Sequence, residues 1–213
     1  MQTLDNMTHL IRFVFMLFAI ALAGNTMAQQ TPGAATQPAR VETAIFAGGC
    51  FWCVEADFEK LPGVVDAESG YTGGHVKNPT YEQVSAGGTG HAESVLLRYD
   101  PTKITYAQLL DYFWHHIDPT VKDQQFCDHG NQYRSAIFYQ NESQRLAAEA
   151  SKAALEKSGR LAHIYTEIVP AGPFYSAEDY HQDYYKKNPF RYKYYRTSCG
   201  RDARVSEVWG SKH

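Results

Sequence analysis

Cys50 and Cys53 frame the segment Gly48-Gly49-Cys50-Phe51-Trp52-Cys53, which follows the strand-like run Val41–Ala47 and opens a helical pattern. Glycines let the chain turn sharply at this point. The turn places Cys50 at a helix N-terminus, where unpaired N–H groups and the helix dipole lower a thiol's pKa. Cys53 falls on the same helix face three residues later, so the two sulfurs can cycle between dithiol and disulfide. The pair also supplies half of a zinc site. Zinc needs a second matched pair, however, and Cys127 and Cys199 stand alone in the sequence. Phe51 and Trp52 offer the walls of an apolar pocket. The chemistry these residues suit is attack by an activated thiolate on a small, partly apolar substrate. Structural disulfides among the four cysteines are the competing reading for an exported chain. That reading fits Cys50 least, because a cross-linking cysteine needs neither a helix N-terminus nor aromatic neighbours.

Three further groups could serve such a thiol. Glu93 follows Gly90-His91-Ala92 at the start of a strand. A glutamate there is ordinarily solvated, but one buried beside the thiol keeps its proton near neutrality and acts as a general acid. Tyr81 and Tyr133 lie in two polar loops, and Asp128 and His129 precede the second tyrosine. Loops on a rigid scaffold often carry function, and a phenol can donate to a polar oxygen. With 15 tyrosines in the chain, packing is the better reading of any single one. The stretch Tyr175–Tyr195 holds seven of them and is read as an aromatic wrap over the sheet rather than a binding rim, because aromatic rings bury large areas. His115-His116 reads as a helix-end feature, with no acidic or cysteine ligands patterned around it.

The elements that must position these residues follow from periodicity. Strands are expected at Val41–Ala47, Val64–Tyr71, Ala92–Tyr99, Ser135–Tyr139 and His163–Val169. Val54, Phe58 and Leu61 recur at helical spacing over Cys50–Leu61, and Pro62-Gly63 ends that helix. Asn78–Gly90 reads as loop with one helical turn. Thr105 with Gln108 forms a capping box for a helix whose apolar stripe is Tyr106, Leu109, Leu110, Phe113 and Trp114. Val121–Tyr133 is polar loop. Asn141 caps a long helix that Ser158-Gly159 ends. Ser176 with Asp179 is expected to open a helix to about Lys187, and a last short helix lies near Asp202–Trp209. The order β-α-β-β-α-β-α-β-α predicts an α+β fold, a two-layer, ferredoxin-like α/β plait with a mixed, largely antiparallel sheet and a long C-terminal segment. A doubly wound parallel sheet is the second choice.

The first 28 residues read as a signal peptide. His9 and Arg12 flank the apolar stretch Ile11–Ala23, which is short of the ~20 residues a membrane span needs. Thr26-Met27-Ala28 offers small residues for a cleavage site. Residues 29–40 are rich in Gln, Pro, Thr and Ala and read as a disordered lead-in. Residues 41–213 then form one domain. The net charge of −3 points to no nucleic-acid partner. An exported, periplasmic protein without stable membrane association after cleavage is expected.

The motifs also occur in a specific order: Gly49-Cys50-Phe51-Trp52, Gly70-Tyr71-Thr72-Gly73-Gly74, Asn78-Pro79-Thr80-Tyr81, Gly90-His91-Ala92-Glu93, Asp128 through Ser135, and Lys187-Asn188-Pro189. In this the chain closely resembles the A-type peptide methionine sulfoxide reductases, from about Thr43 to Cys199. The resemblance implies an α/β plait and a reaction in which methionine S-sulfoxide, free or in oxidised proteins, is reduced to methionine, one enzyme type serving each epimer. It implies Cys50 as nucleophile, Phe51 and Trp52 around the substrate methyl group, Glu93 as proton donor, Tyr81 and Tyr133 as hydrogen-bond donors to the sulfoxide oxygen, and Asp128 as support from the neighbouring loop. It also implies a Cys50 sulfenic acid, a disulfide with a second cysteine, and reduction by an external dithiol such as thioredoxin, with no cofactor and no metal. Two residues match resolving cysteines of family members: Cys53, within the Gly-Cys-Phe-Trp-Cys form, and Cys199, near the C-terminal position. Cys53 is preferred because it needs no long-range movement. Cys127 is expected to be a bystander.

Two rivals remain. An exported thioredoxin-like disulfide oxidoreductase also carries Cys-X-X-Cys, but with tryptophan before the first cysteine and a proline-led strand opposite. An exported, aromatic-rich binding module would use its cysteines only as cross-links, and Cys50→Ser would leave its function intact.

Overall fold

The computed structural model describes residues 41–210. The signal peptide and lead-in expected over residues 1–40 lie outside the described residues. The elements run β1 (Glu42–Gly48), α1 (Phe51–Phe58), β2 (Val64–Thr72), α2 (Tyr81–Ser85), β3 (Ala92–Tyr99), α3 (Tyr106–Trp114), β4 (Gln124–Gln125), β5 (Asp128–His129), β6 (Ser135–Tyr139), α4 (Glu142–Ser158), β7 (Glu167–Pro170), β8 (Tyr175–Ser176), α5 (Tyr184–Lys187), α6 (Pro189–Ser198) and α7 (Arg201–Trp209).

Six strands form one sheet in the order β7-β6-β1-β3-β2-β8, and β4 and β5 form a separate ribbon. Within the large sheet β1 runs antiparallel to both β3 and β6, β2 antiparallel to β3 and β8, and only β6 and β7 are parallel. The middle four strands, with α1 and α3, are the expected βαββαβ plait.

β1 shows why the layers form. Its alternate residues face opposite sides: Ala44 and Phe46 enter the large core, and Ile45 and Ala47 enter the small one. On the large side Phe46 stacks on Phe58 of α1 at 5.3 Å and on Phe113 of α3 at 4.9 Å. Leu109, Leu110 and Trp114 complete that face of α3, and the indole N–H of Trp114 donates to Ser151 of α4 at 2.9 Å. The small side is covered by Ala171 and Phe174, in the connection between β7 and β8.

Local signals hold where the backbone alone decides them. The Thr105–Gln108 capping box closes as expected, a second one forms at Thr80–Gln83, which the sequence reading does not mark, and Asn141 Oδ1 accepts from Gln144 N–H at 3.0 Å. Gly159 ends α4 in the left-handed conformation, φ +67°.

Tertiary partners decide the departures. The strand expected at His163–Val169 is only Glu167–Pro170, because β6 offers its first parallel partner, Ala136, opposite Glu167. The residues before it pair elsewhere, with Tyr165 N–H donating to Pro119 O at 2.8 Å. No helix starts at Ser176. Its backbone pairs with Gly70 on the edge of β2, its hydroxyl donates to Glu68, and the helix begins only at Tyr184. α1 stops at Phe58 instead of Leu61. The loop expected over Val121–Tyr133 contains β4, β5 and a short 3-10 turn at Asn131–Tyr133. α6 is a further helix that the sequence periodicity does not mark.

Candidate active site

Gly49 turns the chain from β1 into α1 with φ +86°, and a Cβ there would lie 2.6 Å from that of Gln125. Cys50 is therefore the N-cap of α1, as expected, and makes no side-chain cap. The first free amide of the helix, Phe51 N–H, donates instead to the Glu93 carboxyl at 3.0 Å. Glu93 reaches it from β3, opposite Tyr71 in the register of β2 and β3. Glu93 is 2 % exposed, so the solvated reading of this residue fails. Burial pushes its carboxyl up to about 8.

Cys50, Phe51, Trp52, Tyr81, Glu93, Asp128, Tyr133 and Tyr195 line one pocket of about 70 Å³. Every residue singled out from the sequence as part of the reacting face is thus brought together. Tyr81 is the first residue of α2, and its N–H donates to Glu178 at 2.9 Å. Tyr133 closes the 3-10 turn after Gly130. Arg134 ties that turn to the approach to β3, donating to Asn131 O at 2.9 Å and to Gly90 O at 3.2 Å. Neither the Tyr81 nor the Tyr133 hydroxyl has a hydrogen-bond partner among the described residues, and burial raises both phenols, Tyr81 to about 12. Both therefore remain donors throughout the physiological range.

The expected thiolate is not what the resting site holds. Burial pushes the Cys50 thiol well up, and contact with Cys53 and the nearby Glu93 add to this. Burial outweighs the helix dipole, and the first free amide of the helix is engaged by Glu93. Cys53 moves down, chiefly through its hydrogen bond with Cys50, with Arg201 and Arg196 nearby. The contact between the two sulfurs thus works in opposite directions, raising Cys50 and lowering Cys53. Both are free thiols.

Cys127 is not a bystander. It is disulfide-bonded to Cys199 across a sequence separation of 72. Cys199 caps α6, and Gly200 leads directly into α7. The cross-link flanks two pocket residues, Asp128 beside Cys127 and Tyr195 one turn before Cys199.

Sequence reasoning missed Tyr195 and His181. The Tyr195 hydroxyl donates to Asp128 Oδ2 at 2.5 Å and contacts the Cys50 sulfur. Its ring meets the Trp52 indole edge-on at 5.8 Å, and the Tyr184 ring stacks on that indole at 3.7 Å. The tyrosine-rich stretch is therefore both wrap and rim. His181, 1 % exposed, accepts from Trp52 Nε1 at 2.9 Å. Burial lowers its pKa, and the neutral ring fixes the indole. Only the density of tyrosines in that stretch signalled these contacts.

The arrangement sets a soft nucleophile against a neutral carboxyl and two phenols, between aromatic walls. It suits a small group with one polar oxygen and one apolar arm, whose central atom becomes electrophilic when the oxygen is protonated. The sequence pattern of the peptide methionine sulfoxide reductase family matches residues 42–213. The peptide methionine sulfoxide reductase MsrA of Bacillus licheniformis is 52 % identical over 173 residues, covering 81 % of this chain and 96 % of its own. MsrA 2 of Caulobacter vibrioides is 48 % identical over 200 residues, covering 94 % of this chain and 100 % of its own. Among solved structures, reduced Mxr1 of Saccharomyces cerevisiae superposes with a TM-score of 0.66 at 34 % identity, covering 72 % of this chain and 88 % of that one. Methionine sulfoxide reductase A of Corynebacterium diphtheriae gives 0.64 at 39 %, covering 72 % and 77 %. With the pocket, the plait and these identities in agreement, the chain belongs to the A-type peptide methionine sulfoxide reductases.

Proposed function

We propose that Cys50 is the nucleophile with which this reductase returns methionine S-sulfoxide, free or in proteins, to methionine. Phe51 and Trp52 hold the methyl group. Tyr81 and Tyr133 donate to the sulfoxide oxygen, Glu93 protonates it, and Asp128 supports the site through Tyr195. The Cys50 proton passes to Cys53, whose sulfur it already meets, as the Cys50 sulfur attacks. Methionine leaves, and the oxygen remains on Cys50 as a sulfenic acid. Cys53 condenses with it, releasing water. An external dithiol of the thioredoxin type then reduces the Cys50–Cys53 disulfide by exchange. Cys199 is the weaker candidate for resolution, since it is already bonded to Cys127.

The observation that carries this reading is the shared pocket of Cys50 and a buried, neutral Glu93. The apolar stretch Ile11–Ala23 and the small residues before Gln29 support export. In that reading the enzyme repairs oxidised proteins in the periplasm, and its reducing equivalents are delivered outside the cytoplasm.

The test is turnover of the separated epimers of dabsyl-methionine sulfoxide with dithiothreitol. Only the S epimer is expected to be consumed, and Cys50→Ser is expected to abolish its loss. After one equivalent of substrate without reductant, peptide mapping is expected to find Cys50 joined to Cys53. A Cys50–Cys199 bond would overturn the assignment of the resolving residue.

A further inference from the structure

We infer that the Cys127–Cys199 disulfide is a second redox site of this protein, opened by an external dithiol, and that it sets substrate affinity by holding Tyr195 against Asp128. The inference rests on the proposed reading of the pocket for its effect on turnover.

The bond lies at the surface. Cys127 is exposed and Cys199 half-buried, whereas Cys50 and Cys53 are both buried. Gln125 of β4 pairs with Asp128 of β5, so Cys127 stands in the turn that joins the two strands. Cys199 is the C-cap of α6, and its N–H donates to Tyr195 O at 2.9 Å. The disulfide and the Tyr195–Asp128 hydrogen bond therefore run side by side between the same two segments. Both partners of that hydrogen bond line the pocket with Cys50.

The surroundings are fixed without the disulfide. At the base of the ribbon, buried Gln125 accepts from Asp118 N–H at 2.9 Å and donates to Asp118 O at 2.6 Å. α7 is tied to Gly48 O and His116 O through Arg201, and to Ile117 O through Trp209. The Arg201 guanidinium also lies over the Phe126 ring at 4.6 Å, but that contact reaches α7 and not Tyr195. What the disulfide holds is the tip of the ribbon against the last turn of α6. A ribbon this short has little stability of its own, so the covalent bond keeps Asp128 beneath the Tyr195 hydroxyl.

Opening is a two-electron exchange. A thiolate of the dithiol attacks the Cys127 sulfur, the more exposed of the two. A mixed disulfide forms, and Cys199 leaves as a thiolate and takes up a proton. The second thiol of the dithiol loses its proton and attacks its own partner sulfur in the mixed disulfide, and Cys127 leaves and is protonated. The dithiol is oxidised to its disulfide and the protein bond is reduced to two thiols. The class of reductant that regenerates Cys50 thus reaches this bond as well. The closed form is the one favoured under oxidising conditions, when sulfoxide is produced.

The experiment compares three forms of the full chain: closed wild type, wild type opened by dithiol with the reductant then removed anaerobically, and the Cys127→Ser/Cys199→Ser double variant. Methionine released in a single turnover of the S epimer is measured against substrate concentration, a step that needs no resolving cysteine. Opening and the double variant are each expected to raise the half-saturating concentration about tenfold, the scale of one lost hydrogen bond, with the limiting rate within about threefold. Tyr195→Phe in the closed protein is expected to raise it to the same extent, and opening that variant is expected to add nothing, because both changes act through one contact. Should the double variant not fold, the opened wild-type protein decides. A half-saturating concentration unmoved by opening, or effects of opening and Tyr195→Phe that multiply, overturns the inference. Loss of the cooperative thermal melt in the opened protein also overturns it, since the bond would then staple the whole fold. Hydrogen exchange without substrate is the second readout. Opening is expected to speed exchange about tenfold in the β4–β5 ribbon and the last turn of α6, leaving β1 and β3 unchanged; unchanged exchange in the ribbon overturns the brace. That measurement requires no turnover and so fails separately from the epimer assay.

Discussion

Glu93→Gln is expected to make the protein inactive and, at alkaline pH, more stable. The carboxyl is held neutral by burial up to about pH 8, against an ordinary value of 4.5. A group whose pKa is raised on folding contributes fully below its unfolded value and loses that contribution as pH rises through the folded one. Each pH unit in that window costs about 1.4 kcal/mol. The wild-type fold therefore gives up about 3 kcal/mol by pH 7 and close to 5 above pH 8, as an order of magnitude. Glutamine still accepts from Phe51 N–H but buries an amide donor, which costs about 1–3 kcal/mol. The variant should accordingly unfold below wild type at pH 5 and several degrees above it at pH 8.5, at about 2–4 °C per kcal/mol for a domain of this size. It cannot deliver a proton, so the single-turnover rate on the S epimer should fall about 10²–10⁴-fold. The wild-type rate should itself decline above about pH 8, as Glu93 ionises. Thermal melts at the two pH values and rapid-quench loss of substrate measure both effects. A stability difference independent of pH would refute the buried neutral acid, and a rate within a few-fold of wild type would refute its role as proton donor.

Tyr81→Phe and Tyr133→Phe should each lower kcat/KM about tenfold or more with little change in stability, since neither hydroxyl is engaged within the described protein; equal activity of the double variant would remove both from the site. Phe46→Ala, which deletes the ring stacked between Phe58 and Phe113, should cost about 3–5 kcal/mol in urea unfolding. Asn141→Ala should cost about 1 kcal/mol through loss of the α4 cap, with kcat and KM unchanged.

Much of the plait was legible because short-range rules decide it. β3 and β6 match their expected bounds, and the Thr105–Gln108 capping box and the Asn141 cap form where the residue types require. The catalytic face was legible through the resemblance and through the Gly49 turn, which leaves the chain one direction into α1. What could not be read depended on distant partners. Whether Glu93 is solvated is decided by a helix amide 42 residues earlier. The ionisation of Cys50 is decided by burial, with Cys53 and Glu93 beside it, and the local rule for a helix N-terminus pointed the wrong way. The Cys127–Cys199 bond spans 72 residues with no local signature. From Tyr175 onward the chain follows the edge of β2 and the face of α1, so apparent caps such as Ser176 are taken up by tertiary contacts.

The packing of Tyr184 and Tyr195 against Trp52, one ring stacked and the other edge-on, has a consequence for the birth of the molecule. The reactive helix is synthesised early, but the side of the cleft that shelters its indole is among the last parts made. At about 5–20 residues per second, the ribosome needs roughly 7–30 s to pass from position 50 to position 195. Through that interval the nascent segment carries two thiols without the aromatic cover that later closes over them, so a repair enzyme is itself most open to oxidative damage before it can repair anything.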